Sequence, residues 1–191
     1  MNKFIFIIFV LISCYSCDIL STRDPEKPIQ PGTSLEQATI PSILFENIVK
    51  SFDKKITENY LNCLADSSLI DSDYKFYPSS TSINNFNVLQ NWNRDSERRY
   101  FNNLKNNTVS GKPITLTLSN EVANIQGDEA IYQYDYVITL ETLSSVQEIY
   151  KGNAEFKIKI DRNNVWVITE WTDRSLQGFN CWSDLKGRYY L

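Results

Sequence analysis

IYQYDYVITL, residues 131–140, is the stretch of sequence that decides the fold. Apolar or aromatic side chains alternate with polar ones along it, and this two-residue period is typical of a β-strand with one buried face. Tyr132, Tyr134 and Tyr136 share that face. Asp135 lies on the opposite face. The stretch therefore predicts a long strand whose aromatic face is covered by other parts of the chain.

Three neighbouring segments have the same period: residues 114–118, 145–160 and 165–172. Residues 161–164 read Asp-Arg-Asn-Asn, a polar sequence typical of a tight turn between the last two segments. We therefore expect a four-stranded antiparallel meander with one apolar face.

The sequence before this sheet has the three- and four-residue period of helices. A first helix is predicted from about Thr39, with Pro41 in its first turn. Its apolar face is formed by Ile40, Ile43, Leu44, Ile48, Val49 and Phe52. A second, short helix is predicted over residues 57–66, with Thr57 as its cap and Tyr60 pointing inward.

A short edge strand and a third helical region are predicted next. Tyr74 and Phe76 alternate before Pro78, which ends the strand because proline has no N–H to donate. The helical region covers residues 84–107, and Asn93 is expected to cap its second half. The predicted fold class is therefore α+β, with a curved antiparallel sheet of four or more strands wrapped around N-terminal helices.

This order of elements resembles the nuclear transport factor 2-like, or cystatin-like, cone fold over roughly residues 35–185. The resemblance rests on the order of the elements and on no invariant motif. It implies that the sheet wraps around the first long helix and that its concave side leaves a pocket.

The N-terminus has the composition of an export signal. Lys3 is followed by an apolar run over residues 4–12 and then by SCYSC, residues 13–17. The apolar run rises only about 13 Å as a helix, less than half of a bilayer core about 30 Å thick. We therefore predict a cleaved signal peptide rather than a membrane span.

The Ser-Cys pairs at the end of this signal resemble the lipobox of bacterial lipoproteins, in which a cysteine takes a diacylglycerol and becomes the mature N-terminus. Cys14 fits the pattern better, because Leu11 stands three residues before it. A cut before Cys14, however, leaves a signal shorter than the usual limit of about 15 residues. Cys17 is the predicted lipidation site and Cys14 the alternative; an ordinary signal with incidental cysteines is a further interpretation.

The predicted organisation is a signal peptide at 1–16, a lipidated N-terminus with a flexible linker at 17–34, and one α+β domain at 35–191. Four parts of the sequence carry a second resemblance: CDILSTRDPE (17–26), Trp166, WTD (171–173) and WSDLKGRY (182–189). In these parts the chain resembles uncharacterised lipoproteins of environmental bacteria that carry this cone fold. That resemblance implies the Cys17 anchor, a position facing the periplasm or the cell exterior, and no established activity.

Composition excludes several classes of function. The chain has 19 Lys and Arg, 23 Asp and Glu and no His, a formal charge of −4, so nucleic-acid binding is not expected. Without histidine, Ser-His-Asp and Cys-His nucleophiles and His-based metal sites are impossible, and no metal or other cofactor is predicted. Cys63 and Cys181 are either a disulfide or two buried thiols.

Six residues are candidates for lining a pocket: Tyr60, Tyr132, Tyr134, Tyr136, Trp166 and Glu170. The three strand tyrosines either pack in the core or line the pocket. Trp166 and Glu170 share one face of the last strand unless a bulge intervenes. One of the carboxylates Glu170 and Asp173 is expected to be able to point into the cone as a ligand anchor. Alternatively, Glu170 pairs across strands with Lys157 or Lys159.

Three functions remain open. The first is a non-catalytic, membrane-anchored module that binds a small molecule or an envelope protein. The second is a small isomerase, dehydratase or hydrolase that uses Tyr and Asp or Glu in the pocket, and the third is a structural part of an envelope assembly. A filled cone favours the third, an apolar pocket without inward carboxylates the first, and an inward, perturbed carboxylate the second.

Overall fold

The structure is a computed structural model and describes residues 35–190. The predicted signal peptide, the predicted lipidation site at Cys17 with its alternative Cys14, and the predicted linker lie outside these residues. Among the residues described, no helix is long and apolar enough to cross a membrane.

Two helices open the domain. Helix α1 (Pro41–Lys54) begins with proline in its first turn, as predicted, and ends where Lys55 adopts a left-handed conformation. Helix α2 (Thr57–Asn62) is shorter than predicted, because Leu64 leaves the helix to form a parallel bridge with Ile168 in the sheet. The predicted cap is wrong, since the Thr57 hydroxyl donates a hydrogen bond to Asn102 instead.

The third helical region consists of three pieces rather than one interrupted helix. Helix α3 (Ser80–Asn85) and a 3₁₀ turn (Asn87–Asn91) are separated by Phe86, whose backbone is not helical. Helix α4 (Arg94–Asn106) follows, and the Asn93 side chain caps it by accepting a hydrogen bond from the Ser96 N–H at 3.0 Å. The predicted cap at Asn93 is confirmed.

Five strands within residues 35–190 form one sheet in the order β1-β5-β4-β3-β2. They are β1 (Lys75–Tyr77), β2 (Thr115–Gln126), β3 (Glu129–Glu141), β4 (Gln147–Ile160) and β5 (Trp166–Ser175). The four long strands form the predicted antiparallel meander, whereas edge strand β1 pairs parallel to β5. The predicted α+β fold class is confirmed.

A bulge in β5 changes which of its side chains face inward. Lys157 pairs with Glu170 and Ile158 with Ile168, so Thr169 is an extra residue in the ladder. Strict alternation would place Trp171 and Asp173 on the face of the sheet opposite to Trp166. Because of the bulge, both lie on the same concave face as Trp166. Glu170 lies on the other face.

The C-terminus folds back as helix α5 (Trp182–Tyr189). Trp182, Leu185 and Lys186 are fully buried against the concave face of the sheet. The Cys181 N–H donates to Asp184 at 2.8 Å, which satisfies one donor at the start of the helix. The tail thus becomes part of the core and is not an exposed contact surface.

Candidate functional site

The interior of the cone contains a completely buried ion pair. Lys186 of α5 pairs with Glu97 of α4, and both side chains are 0% exposed. The Lys186 Nζ lies 3.5 Å from the ring centroid of Phe76 and 3.8 Å from that of Trp171. The aromatic rings and the carboxylate together surround the ammonium group.

Hydrogen bonds from tyrosines complete the surroundings of Glu97. The Tyr60 and Tyr74 hydroxyls donate to its two carboxylate oxygens at 2.8 and 2.6 Å. Burial raises the pKa of both tyrosines well above the ordinary value, and the negative charge of Glu97 raises it further. Burial lowers the pKa of Lys186 to about 8, against the opposing effect of Glu97.

Asp173 is a second carboxylate that points into the interior, and it is also buried and hydrogen-bonded by surrounding groups. It accepts hydrogen bonds from the Tyr136 hydroxyl at 2.7 Å and from the Ser183 N–H and hydroxyl at 2.7 and 2.5 Å. The Tyr136 hydroxyl oxygen in turn accepts a hydrogen bond from the backbone N–H of Trp182 at 2.7 Å. Asp173 therefore holds the start of α5 on the sheet.

Aromatic rings fill the remaining interior. The Trp182 ring contacts Phe52, Tyr136 and Trp171, with centroid separations of 5.4, 5.1 and 4.3 Å. The concave side on which a pocket was predicted is therefore occupied by the chain's own C-terminal helix.

The six predicted pocket residues do not form one site. Tyr60 bonds to Glu97 and Tyr136 bonds to Asp173. Trp166 is buried where its backbone N–H donates to the Ala38 carbonyl at 2.8 Å. Glu170 points away from the interior, and its Oε1 lies 3.6 Å from Lys157 Nζ, which is the cross-strand pairing predicted as the alternative to an inward position.

The cysteines Cys63 and Cys181 are free buried thiols, so the disulfide considered for them is not formed in the structure. Cys63, directly after α2, donates to the Asn59 carbonyl, whereas Cys181 contacts the Ser82 hydroxyl beside α5. Each thiol thus has a hydrogen-bonding partner of its own. Burial raises the pKa of Cys63 to about 12, so this thiol is not a reactive nucleophile.

Tyr132 and Tyr134 pack against α1 rather than against α5, and Tyr134 also lines an open cleft between α1 and strands β2 and β3, the α1 cleft. Phe45 of α1 packs on both rings, at centroid distances of 4.9 and 4.8 Å. The cleft has a volume of about 440 Å³. It is lined by Ser42, Phe45, Glu46, Val49, Lys50, Leu116, Thr117, Leu118, Glu121 and Tyr134.

A bulge in β2 forms the rim of this cleft. The ladder with β3 shifts register between Ser119 and Val122, and Asn120 adopts a left-handed conformation with φ of 53°. The Tyr134 hydroxyl donates to Glu121 at 2.5 Å. The bulge thus turns Glu121 towards the cleft, where burial and this carboxylate raise the pKa of Tyr134.

Two other clefts of similar size are lined mainly by solvated loop residues. One, of about 410 Å³, lies by Asp73 and Arg94, and the other, of about 370 Å³, by Asp71 and Arg162. Within residues 35–190, no group of three or more acidic or cysteine side chains has the geometry to hold a metal ion. The α1 cleft is distinguished from the others by its buried aromatic floor and aliphatic walls.

The sequence contains a signal for the interior residues that sequence reasoning missed. Glu97 lies three, four and seven residues before Tyr100, Phe101 and Leu104, so it stands on the apolar face of its helix. A charged residue on such a face requires a buried partner. Lys186 interrupts the apolar stripe of α5 in the same way, but α5 itself was not predicted.

No protein-family model matches the chain, and a search of curated proteins gives no match. Solved structures with a similar fold include a candidate dehydratase of the NTF2-like family from Streptomyces avermitilis (TM-score 0.56, 9% identity, 72% of this chain and 94% of that chain). An NTF2-like protein of unknown function in nutrient uptake from Rhodospirillum rubrum is also similar (TM-score 0.53, 10% identity, 71% and 97%). An NTF2-like protein with a cystatin-like fold from Novosphingobium aromaticivorans has a TM-score of 0.51 (11% identity, 78% and 84%). The chain therefore has the NTF2-like, or cystatin-like, cone fold.

Proposed function

We propose that this chain is a lipid-anchored protein of the bacterial cell envelope whose folded domain is a non-catalytic module that binds a small molecule in the cleft between α1 and strands β2 and β3. The proposal is supported by the difference between the interior of the cone and the cleft beside α1. The interior of the cone is filled by α5, whereas the cleft beside Phe45 and Tyr134 is open and has an apolar floor.

Catalysis in the interior is disfavoured by the bonding of its acidic groups. Asp173 and Tyr136 are the residue types of an acid–base pair, but they bond to each other and to the backbone of α5. Asp173 is only 2% exposed. A substrate has no route to this pair unless α5 leaves.

The filled cone is also the feature expected of a structural component of an envelope assembly, which is the second candidate function. The open cleft favours the binding module, because a purely structural domain has no need of an open cleft with an apolar floor. The comparison structures include proteins with different stated roles, so their likeness supports the fold and not the ligand.

The ligand proposal is tested with native mass spectrometry of the full chain mixed with a small-molecule extract of bacterial envelopes. We expect a bound species on the wild-type chain that is lost in Leu118→Trp, which fills the cleft. The matched control Ile149→Trp, at an exposed position of β4, is expected to keep it. Binding that survives in Leu118→Trp, or no bound species on the wild type, would contradict the proposal.

The anchor is tested by the mass of the protein recovered from membranes. We expect an acylated N-terminal Cys17, lost in Cys17→Ser and retained in Cys14→Ser. Recovery of the intact chain from the cytosol with Met1 attached would contradict the anchor.

A further inference from the structure

We infer that the ligand of the α1 cleft is an amphipathic cation, in which a protonated amine is joined to an apolar chain or ring. This inference rests on the proposed function and names the chemical class of the ligand.

The cleft has one uncompensated charge, on Glu121. Glu46 and Lys50 also line it, but they pair with each other at 3.0 Å along one turn of α1. Among residues 35–190, no lysine or arginine forms an ion pair with Glu121. A cationic ligand therefore meets an unpaired carboxylate, whereas an anionic ligand is repelled.

The position of Glu121 is fixed by the bulge. Asn120 takes the left-handed conformation that the bulge requires, and its amide donates to Asp135 at 2.7 Å on the outer side of the sheet. Asp135 is itself held by the Asn153 amide at 3.3 Å. These bonds hold the backbone so that Glu121 stays over the cleft before any ligand arrives.

The carboxylate and the aromatic floor offer complementary contacts to an alkylammonium group. The Tyr134 hydroxyl occupies one oxygen of Glu121, which leaves the other oxygen for an ammonium N–H. The Tyr134 and Phe45 rings lie below, where aromatic faces attract cations and bind methylene groups. Leu116, Leu118 and Val49 give the apolar part of the ligand its walls.

The test compares three probes with the same six-carbon chain: hexylammonium, 1-hexanol and hexanoate. Each is titrated into the isotope-labelled full chain, and amide chemical shifts along β2 and β3 report binding. We expect hexylammonium to bind about fivefold more tightly than 1-hexanol and hexanoate to bind most weakly. Glu121→Gln, which keeps an acceptor for Tyr134, is expected to reduce hexylammonium affinity to that of 1-hexanol.

The control removes the Glu46–Lys50 pair as a whole, with Glu46→Gln and Lys50→Gln in one protein, and is expected to retain the preference for the cation because the net charge of the cleft is unchanged. If hexylammonium and 1-hexanol bind equally, or if Glu121→Gln keeps the preference, the ligand class is wrong and the proposed binding module stands. If none of the three probes shifts the β2 and β3 resonances, both the ligand class and the proposed function fail. Glu121→Ala, which also removes the acceptor, must lose the same preference.

Discussion

Lys186 and Glu97 place two opposite charges in the aromatic interior of a small domain. Removing a charge from water is costly, and mutual attraction offsets that cost only when further hydrogen bonds satisfy the charged groups. Tyr60 and Tyr74 supply those bonds to Glu97. The pair therefore contributes more to the position of α5 than to net stability.

The buried pair predicts the result of a double-mutant cycle. Lys186→Met leaves Glu97 buried and unpaired, so it should reduce the free energy of unfolding by about 3–5 kcal/mol. Adding Glu97→Gln should recover a large part of that loss, because the unpaired charge is removed. The measurement is denaturant unfolding of the four proteins.

The control for this cycle is the half-exposed pair of Lys157 with Glu170, whose side chains are each 36% exposed. Lys157→Met should cost at most about 1 kcal/mol. A cost for Lys186→Met no larger than this control would show that the interior pair is not desolvated.

The buried tyrosines predict how stability depends on pH. Burial raises the pKa of Tyr60, Tyr74, Tyr100 and Tyr136 above the ordinary value of 10.0. The folded chain therefore keeps protons that the unfolded chain loses, and this contribution to stability is complete below pH 10.0 and is lost above it. Tyrosinate absorbance near 295 nm should rise together with loss of the circular dichroism signal, as the domain unfolds. Normal ionisation of all tyrosines in a chain that stays folded would contradict the structure.

Residue-level prediction from the sequence was uneven for a physical reason. The tyrosine row was identified because alternation on a strand is a local pattern. Which tyrosine reaches a pocket depends on the residues opposite, and those come from α1 for Tyr134 but from α5 for Tyr136. The sequence of β3 itself does not indicate which of these distant elements packs on which tyrosine.

At the scale of elements, the four long strands and α1 were predictable because their periods persist over ten or more residues. The β5 bulge was not predictable, since one extra residue moves the following side chains to the other face of the sheet without altering the composition of the strand. Helix α5 was missed because it is short and contains Gly187, a poor helix former. Its stability comes from packing on the sheet.

The packing of α5 predicts an unusual effect of a glycine replacement. Alanine within a helix normally stabilises it by about 1 kcal/mol relative to glycine. At position 187, however, a methyl group would overlap the Phe86 ring, so Gly187→Ala should instead destabilise the domain by about 1–3 kcal/mol. Thermal unfolding provides the measurement, and Ser42→Ala on the exposed side of α1 serves as the control. An increase in Tm for Gly187→Ala would show that α5 does not pack against Phe86.

At the scale of the whole molecule, α5 closes the concave side of the sheet and leaves binding to the α1 cleft. The sequence alone predicted the cone but left its interior undecided between a pocket and a filled core. The decision depends on a segment at the end of the chain whose partners, Glu97 and Asp173, lie far away in sequence. Whether α5 fills the cone depends on how its side chains fit against the sheet and the other helices, and this fit exists only in the assembled core.

Closure of the cone by the chain's own C-terminal helix is tested most directly by native-state hydrogen exchange. If α5 is a permanent part of the core, its amides should exchange only through global unfolding, with the same free energy of opening as the amides of α1. Exchange of α5 with an opening free energy several kcal/mol lower, while α1 stays protected, would contradict closure. The interior around Glu97 and Asp173 would then be the accessible site.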